Sequence, residues 1–325
     1  MVITRRQALQ NSAFALGGTV VNPQFARAQT AASKPSGQNA AIYRLRLGAF
    51  EVTALSDGSF ALPSALLATN LTETELTEFI KANYIGTDTF RLQINVILVN
   101  TGDRKVLIDA GAGGARQPTT GRLIASLQAA GIEPTDVDIV VLTHAHPDHF
   151  WGAVDTKAST LRFPNARYVI SDREWDFWSD PERHGSLPDF FRALVPNTQA
   201  AFKLIADRTT QIKAGTEILS GIATVESHGH TPGHMCVQLA SGGEQALFVG
   251  DAITHMLISF AHPDWRPGYD LDRDQAARAR RRLLDQAATD RILVLGYHFP
   301  FPGVGNVARD GAAFRWVPEH WRWDF

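Results

Sequence analysis

The fold of this chain is decided by Thr143-His144-Ala145-His146-Pro147-Asp148-His149, which directly follows the apolar run Ile139-Val140-Val141-Leu142. The apolar run predicts a short buried strand, and Pro147 ends that strand and favours a turn into a helix. Residues just beyond a strand's end point into the crevice where α/β folds bind ligands. A surface loop rich in histidine is the alternative. However, three imidazoles and a carboxylate within six residues are costly to hold together without a cation, so the stretch predicts a metal site.

Three later segments extend this pattern to that of a known family. They are Gly229-His230-Thr231-Pro232-Gly233-His234, Phe248-Val249-Gly250-Asp251 and Gly296-Tyr297-His298. Together with the HxHxDH motif they resemble the metallo-β-lactamase superfamily, in which such segments supply further metal ligands. The resemblance implies that one metal is held by His144, His146 and His234, that the other is held by Asp148, His149 and His298, and that Asp251 bridges them.

The same resemblance implies two divalent metal ions per chain, with zinc as the expected ion. Histidine and carboxylate sites also accept manganese, cobalt or iron, so the residues alone do not identify the metal. Two such ions lower the pKa of a shared water, so that a bridging hydroxide is present near neutral pH. Asp148 and Asp251 are therefore the predicted catalytic residues, and Asp148 could also orient the hydroxide. Asp109 is a candidate for a residue that orients one of the metal ligands through a hydrogen bond.

The spacing of apolar residues predicts a fold of the α/β class. Strands are predicted at 43–47, 50–55, 95–99, 105–109, 139–142, 167–170, 222–226, 235–239, 245–249 and 292–295, and helices at 72–84, 121–130, 172–178, 188–205 and 272–288. The strands fall into two halves, each followed by helices. This is what the αββα sandwich of the metallo-β-lactamase fold requires: two facing mixed β-sheets with helices outside. The run Arg278-Ala279-Arg280-Arg281-Arg282 predicts a solvated helix face.

The first 28 residues resemble a twin-arginine export signal. Thr4-Arg5-Arg6-Gln7-Ala8-Leu9 precedes the uncharged apolar run 13–21 and then Ala26-Arg27-Ala28. This apolar run is shorter than the ~20 residues that span a bilayer, so no membrane anchor is expected. The predicted organisation is a signal peptide at 1–28, a flexible leader at 29–41 and one hydrolase domain at 42–325, in a periplasmic or secreted protein.

The composition narrows the set of partners. The chain is 44% hydrophobic and 20% charged, which is typical of a soluble globular protein. Its formal net charge of −2 argues against a nucleic-acid partner. The single cysteine, Cys236, excludes an internal disulfide and is predicted to be a core residue, because it lies in an apolar strand. The expected partner is therefore a small-molecule substrate, and a homodimer stays open.

A closer resemblance points to methyl parathion hydrolase and its lactonase and arylesterase relatives. It is carried by residues 43–58, 163–166, 227–234 and 299–305. This resemblance implies hydrolysis of lactones, aryl esters or organophosphate triesters. Trp178 and Phe190 or Phe191 are then the candidates for an apolar substrate pocket, and His255 is a candidate for its rim. Packing in the core is the alternative for each aromatic side chain, and a hydrogen-bonded structural histidine is the alternative for His255.

Other functions in the same superfamily remain as alternatives. A quorum-quenching N-acyl homoserine lactonase would use the same metal ligands, and so would a hydrolase of thioesters. A glyoxalase II-type thioesterase is expected to carry a helical domain after its last histidine, and only residues 299–325 follow His298 here. A β-lactamase of the commonest type would carry cysteine in place of Asp251. A metal-binding protein without catalysis is the alternative from another class, but open coordination positions argue against it.

Overall fold

The computed structural model describes residues 41–114, 116–185 and 187–323. The predicted signal at 1–28 and nearly all of the predicted leader at 29–41 lie outside the described residues. Within that part of the chain, no helix has the length and apolar character needed to cross a membrane.

The first half of the described chain holds nine strands and six α-helices. The strands are β1 (Ile42–Leu47), β2 (Phe50–Pro63), β3 (Thr89–Asn100), β4 (Lys105–Ile108), β5 (Ile139–Val141), β6 (Val154–Asp155), β7 (Thr160–Leu161), β8 (Arg167–Ser171) and β9 (Thr209–Ile212). The helices are α1 (Glu73–Ala82), α2 (Leu123–Ala129), α3 (Pro147–Phe150), α4 (Asp172–Ser179), α5 (Asp189–Arg192) and α6 (Val195–Ile205).

The second half holds seven strands and two α-helices. The strands are β10 (Glu217–Leu219), β11 (Ile222–Glu226), β12 (Met235–Ser241), β13 (Glu244–Phe248), β14 (Leu293–Leu295), β15 (Val304–Asp310) and β16 (Ala313–Pro318). The helices are α7 (Ile258–Ala261) and α8 (Arg273–Asp290).

The strands form two mixed sheets, one from each half. The first sheet has the order β1-β2-β3-β4-β5-β8-β9, and its last four strands are parallel to one another. The second has the order β10-β11-β12-β13-β14-β15-β16, with one parallel pair, β13 and β14. Side chains of both sheets, such as Val52 and Val99 of the first and Val237 and Phe248 of the second, share one buried core. The predicted fold class is confirmed.

Local chemistry explains where several elements begin. Thr72 caps α1 with a capping box, in which its hydroxyl accepts the Glu75 backbone N–H and the Glu75 carboxylate accepts the Thr72 N–H. The turn between β1 and β2 uses Gly48 at φ +57°, a conformation that glycine adopts at little cost. Cys236 is fully buried in β12, as predicted, and burial raises the pKa of its thiol to about 12.

Strand β2 runs beyond the end that the sequence predicts at Ser56-Asp57-Gly58. A β-bulge between Ser56 and Gly58 lets the strand continue to Pro63. The bulge leaves Asp57 buried, where its carboxylate accepts the backbone N–H groups of Ala112, Gly121 and Leu123 at 2.8, 3.2 and 2.7 Å. The polar triplet therefore fastens a neighbouring loop to the sheet instead of ending the strand.

Candidate metal centre

A cluster of buried histidines and carboxylates lies just beyond the end of strand β5. Central strand β5 ends at Val141, and the chain then runs extended to Pro147, the first residue of α3. Two groups among the described residues could each hold a metal ion, with ligand atoms within 4.8 Å of one another. The first group is His144, His146, His230 and Asp251, and the second group is Asp148, His149 and His298.

Asp251 lies between the two groups. Its Oδ1 is 3.0 Å from His149 Nε2 and 3.1 Å from His298 Nε2, both in the second group. Its Oδ2 is 3.2 Å from His230 Nε2, in the first group. One carboxylate therefore faces both groups, which is the geometry that a bridging ligand needs.

Three of the imidazoles have one ring nitrogen already committed to a hydrogen bond. His149 Nδ1 faces Asp109 Oδ2 at 2.7 Å, His230 Nδ1 faces Asp270 Oδ1 at 2.9 Å, and His298 Nδ1 faces the Gln93 carbonyl at 2.6 Å. Each Nδ1 must donate, because its partner can only accept, so each neutral ring presents a lone pair on Nε2.

Those lone pairs face carboxylate oxygens, and this arrangement requires positive charge between them. A proton supplies it in the absence of a metal: burial lowers the pKa of His149, but the surrounding carboxylates outweigh burial and raise the pKa well above its usual value. Burial instead takes the pKa of His144 well below its usual value, and His144 Nε2 has no hydrogen-bond partner among the described residues. A neutral imidazole with a free lone pair can bind a metal ion directly, so the donor set fits two divalent cations.

The structure corrects the predicted third histidine of the first group. His234 uses both ring nitrogens elsewhere: Nδ1 faces Ser227 Oγ at 2.8 Å, and Nε2 accepts the Asp251 backbone N–H at 2.9 Å. It therefore has no lone pair for a cation and lies outside the group, where it holds Asp251 in place. His230, four residues earlier in the same motif, is the histidine whose Nε2 faces the cluster.

A buried carboxylate and a buried guanidinium stand behind His230. The Asp270 carboxylate accepts from His230 Nδ1 with one oxygen and from Arg280 Nη2 with the other, at 3.0 Å. Arg280 also donates to the backbone carbonyls of Ala252, Pro263 and Trp265. Arg280 is only 1% exposed, so the prediction of a solvated face for the arginine run of α8 is wrong at this residue.

Asp109 lies directly beneath the second group. Besides His149 it accepts the Thr143 backbone N–H at 2.8 Å and the Thr143 hydroxyl, so it ties one ligand to the end of β5. Asp109 has φ +63°, an unusual conformation for a residue with a side chain. The structure thus places Asp109 where it orients a ligand, the role for which the sequence made it a candidate.

Glu174 joins the two ligand-bearing loops from the side of α4. Its Oε1 accepts the Ala145 backbone N–H at 3.1 Å and the Trp178 indole N–H at 2.7 Å. Its Oε2 accepts the Thr231 hydroxyl at 2.7 Å and the Gly233 backbone N–H at 3.0 Å. Burial raises the pKa of Glu174, and these four donors oppose that shift. No pattern in the sequence points to Glu174, because its partners come from segments far apart in the chain.

A narrow cleft opens onto the metal ligands, with carboxylates at its floor and apolar side chains on its walls. It is lined by Phe60, Leu62, Leu92, Arg116, His146, Pro147, Asp148, Phe190, Leu194, His230, Asp251, Tyr269 and His298. Of the four pocket residues predicted from sequence, only Phe190 lies in this lining. The sequence analysis also missed Arg116, which lies 28 positions before His144, and Tyr269, which lies 18 positions after Asp251, because neither residue belongs to a ligand motif.

The other three predicted pocket residues have structural positions. Trp178 is fully buried behind His146, with ring centroids 5.8 Å apart and its indole N–H on Glu174. Phe191 is 3% exposed and stacks against His146 at 5.8 Å. His255 accepts the backbone N–H of Leu257 through Nδ1 at 3.2 Å. The prediction that these three line the pocket is therefore corrected, and packing or hydrogen bonding explains each of them.

Comparison with known proteins agrees with this geometry. The family model described as Metallo-beta-lactamase superfamily matches residues 89–298. The chain is 31% identical over 192 residues to the N-acyl homoserine lactonase AttM of Azorhizobium caulinodans, an alignment that covers 54% of this chain and 64% of that protein. It is 29% identical over 160 residues to the uncharacterized protein YobT of Bacillus subtilis, with 49% of this chain and 61% of that protein covered. The chain thus spans less than two thirds of the length of these two relatives.

Two solved structures are similar over most of this chain. One is the hydrolase AbOPH, described as in the beta lactamase superfamily, with a TM-score of 0.81, 30% identity and coverage of 88% of this chain and 100% of that chain. The other is AidC, a dizinc quorum-quenching lactonase in complex with a product, with a TM-score of 0.81, 31% identity and coverage of 87% and 98%.

Proposed function

Since this chain belongs to the metallo-beta-lactamase superfamily and is a metal-dependent hydrolase of that fold, we propose that it opens the lactone ring of N-acyl homoserine lactones. The observation that carries the proposal is the pair of buried ligand groups joined by Asp251 at the floor of an apolar cleft. Such a floor can act on a polarisable ester carbonyl while the walls receive an acyl chain.

The comparisons support the lactone among the possible substrates. AttM is an N-acyl homoserine lactonase, and AidC is a dizinc lactonase whose structure holds an N-acyl homoserine product. The likeness to AidC extends over 87% of this chain at 31% identity, which supports a similar reaction. By the same likeness, we propose zinc as the metal of both groups.

Two divalent cations held by these groups would polarise the lactone carbonyl and lower the pKa of the attacking water. The residues of the chain supply the rest of the reaction. Asp148 and Asp251 both line the cleft floor, where a carboxylate can take a proton from water. Water oxygen then bonds to the carbonyl carbon, the ring C–O bond breaks, and the proton passes to the departing alkoxide. The products are a free hydroxyl group and a carboxylic acid, which becomes a carboxylate when it releases the second proton of the water to solvent.

The apolar walls explain why a ring with an acyl chain would bind. Leu62, Leu92 and Leu194 line the cleft together with the rings of Phe60 and Phe190. Burying one methylene group stabilises a complex by about 0.8 kcal/mol, so a six-carbon chain gains several kcal/mol against these walls. They also exclude water from the cleft, which strengthens electrostatic interactions at the floor.

Hydrolysis of aryl esters or organophosphate triesters is the second candidate. The resemblance of residues 43–58 and 299–305 to methyl parathion hydrolase suggests it, and the rings of Phe60 and Phe190 in the cleft could receive an aromatic leaving group. We also propose export to the periplasm by the twin-arginine pathway, on the strength of residues 1–28.

A kinetic panel on purified protein of measured metal content tests the substrate proposal. The panel contains N-hexanoyl homoserine lactone, phenyl acetate, a p-nitrophenyl phosphotriester and a penicillin. We expect kcat/KM for the lactone to exceed the others by about tenfold or more, since it offers an ester carbonyl to the floor and an acyl chain to the leucine side chains of the walls. A preference for phenyl acetate or the phosphotriester would replace the lactonase proposal with the second candidate. The variant Asp251→Asn is the control for hydrolysis by contaminants.

A further inference from the structure

The cleft wall carries one positive charge, the guanidinium of Arg116. Its central carbon lies 5.3 Å from the centroid of the Phe60 ring and 5.6 Å from that of the Phe190 ring. Phe60, Phe190 and Arg116 all line the same cleft as the candidate metal ligands. Within residues 41–114, 116–185 and 187–323, no carboxylate pairs with Arg116, and its buried Nε has no hydrogen-bond partner. The Arg116 side chain is therefore a cation that packs between two aromatic rings, and its N–H groups can still donate hydrogen bonds to a ligand.

The segment that follows Arg116 is hydrogen-bonded to strand β2 at two points. The Gln117 side-chain amide makes two hydrogen bonds with the backbone of Ala61, at 3.0 and 2.9 Å. The Thr119 hydroxyl donates to the Ser59 carbonyl, and the Ser59 N–H donates to the Thr119 carbonyl at 3.3 Å. Phe60, which packs on the guanidinium, lies between Ser59 and Ala61 on that strand. The position of the charge is thus set before any substrate enters.

An unpaired guanidinium in an apolar cleft favours a ligand that supplies an acceptor oxygen. The Nε–H of Arg116 is buried without a partner, which is unfavourable, so a substrate oxygen that accepts a hydrogen bond from this N–H group regains free energy on binding. A guanidinium is always charged and presents several N–H donors in one plane, which suits a carbonyl or carboxylate oxygen. An alkyl chain has no acceptor atom for the N–H groups of the guanidinium.

We propose that Arg116 determines specificity by donating a hydrogen bond to a second carbonyl oxygen of the substrate, the amide oxygen of an N-acylamino lactone. This inference rests on the proposed function, and it deepens that function by assigning the residue that recognises the amide beside the lactone ring. The reacting carbonyl lies at the cleft floor near Asp148 and Asp251, and the amide lies against the wall at Arg116. Aromatic contact alone would give Arg116 a packing role and no such preference.

The test compares two substrates of matched size. N-hexanoyl homoserine lactone carries the amide, and α-hexyl-γ-butyrolactone has the same ring and a similar chain without it. The variant is Arg116→Met, which keeps the unbranched stem between the two rings and removes the donors. We expect kcat/KM for the amide lactone to fall about tenfold or more, and kcat/KM for the alkyl lactone to stay within about twofold. Titration calorimetry with the ring-opened product, N-hexanoyl homoserine, should show weaker binding by a similar factor.

The matched control is Arg122→Met, an exposed arginine outside the cleft lining, which should change neither substrate. Equal losses for both lactones in Arg116→Met, with or without a lower melting temperature, would overturn the inference in favour of packing. An unchanged ratio with unchanged activities would overturn it as well. If the wild-type protein hydrolyses neither lactone but does hydrolyse phenyl acetate or the phosphotriester, the proposed function itself fails, and the amide preference fails with it.

Discussion

His230 is fixed by charges that lie deeper in the protein than the metal ligands. Asp270 fixes which ring nitrogen carries the proton, and Arg280 balances the Asp270 charge in a region that excludes water. A carboxylate behind a histidine raises the basicity of the nitrogen that faces the metal, and losing such a partner typically weakens metal binding by about 10- to 100-fold. The first ligand group therefore depends on helix α8 as well as on its own loop.

The two histidines of the motif can be separated by experiment. His230→Ala removes a ligand, so we expect the bound metal to fall from two ions per chain towards one, with kcat/KM lowered by about a hundredfold or more. His234→Ala keeps every proposed ligand and loses only the hydrogen bonds to Ser227 and to the Asp251 N–H. It should retain two ions. Elemental analysis after desalting measures both, and metal loss confined to His234→Ala would return the ligand role to His234.

The sequence analysis predicted six of the seven members of the two groups: HxHxDH after a strand places four of them, and the resemblance to the superfamily implied Asp251 and His298. It assigned the ligand role to His234, whereas the structure places His230 in the group. Both histidines belong to one GHTPGH segment, and the choice depends on which ring nitrogens find partners in distant segments, at Ser227, Asp251 and Asp270. Residue type and spacing along the chain do not show which distant residues become hydrogen-bond partners of each histidine.

Helix α4 acts as a clamp on the loops that carry the ligands. The Glu174 carboxylate accepts from Ala145, between two ligands, and from Thr231 and Gly233, which follow His230. Trp178, one turn later on the same helix, donates to that carboxylate. The sequence pattern predicts this helix, and it makes Trp178 a candidate for the substrate pocket with core packing as the alternative; the structure supports packing. Amphipathic spacing shows that a face is buried and does not show whether it meets substrate or core.

Glu174→Gln tests whether α4 holds the ligand-bearing loops, because it removes the carboxylate and leaves the side-chain shape almost unchanged. The amide NH2 would replace an oxygen that now accepts from two donors, so at least one buried N–H or O–H loses its partner, at about 1–3 kcal/mol each. We expect a lower melting temperature, weaker metal affinity in a chelator competition, and equal losses of activity on amide and alkyl lactones. Glu182→Gln, at an exposed glutamate just beyond the helix, is the control. Wild-type metal affinity in Glu174→Gln would show that α4 does not hold the loops.

The two-sheet architecture followed from the sequence, whereas the strand order did not. Hairpin signals predicted β1 with β2, and apolar runs predicted the buried strands next to the ligands. Six strands escaped prediction: β6 and β7 have two residues each, β9, β10 and β16 lie at sheet edges, and polar residues interrupt the apolar pattern of β15. Their pairing depends on contacts across the molecule.

Both halves of the molecule contribute to the metal centre. His144, His146, Asp148 and His149 follow a strand of the first sheet, whereas His230, Asp251 and His298 follow strands of the second. Cations held by such a set connect the two sheets at one edge of their shared core. Binding to the folded state alone stabilises a protein by about 4 kcal/mol when the free ion is at a thousand times its dissociation constant.

Removing the metal should therefore destabilise the whole domain and not only the site. We expect an excess of chelator to lower the melting temperature by about 10 °C, since each kcal/mol shifts a domain of this size by roughly 2–4 °C. Far-ultraviolet circular dichroism at room temperature should stay nearly unchanged, because the buried core that joins the sheets does not include the ligands. Adding zinc back should restore the melting temperature in the wild type but only partly in His230→Ala. An identical melting temperature with and without chelator, in protein shown to have lost its ions, would mean that the ions act in catalysis without tying the sheets together.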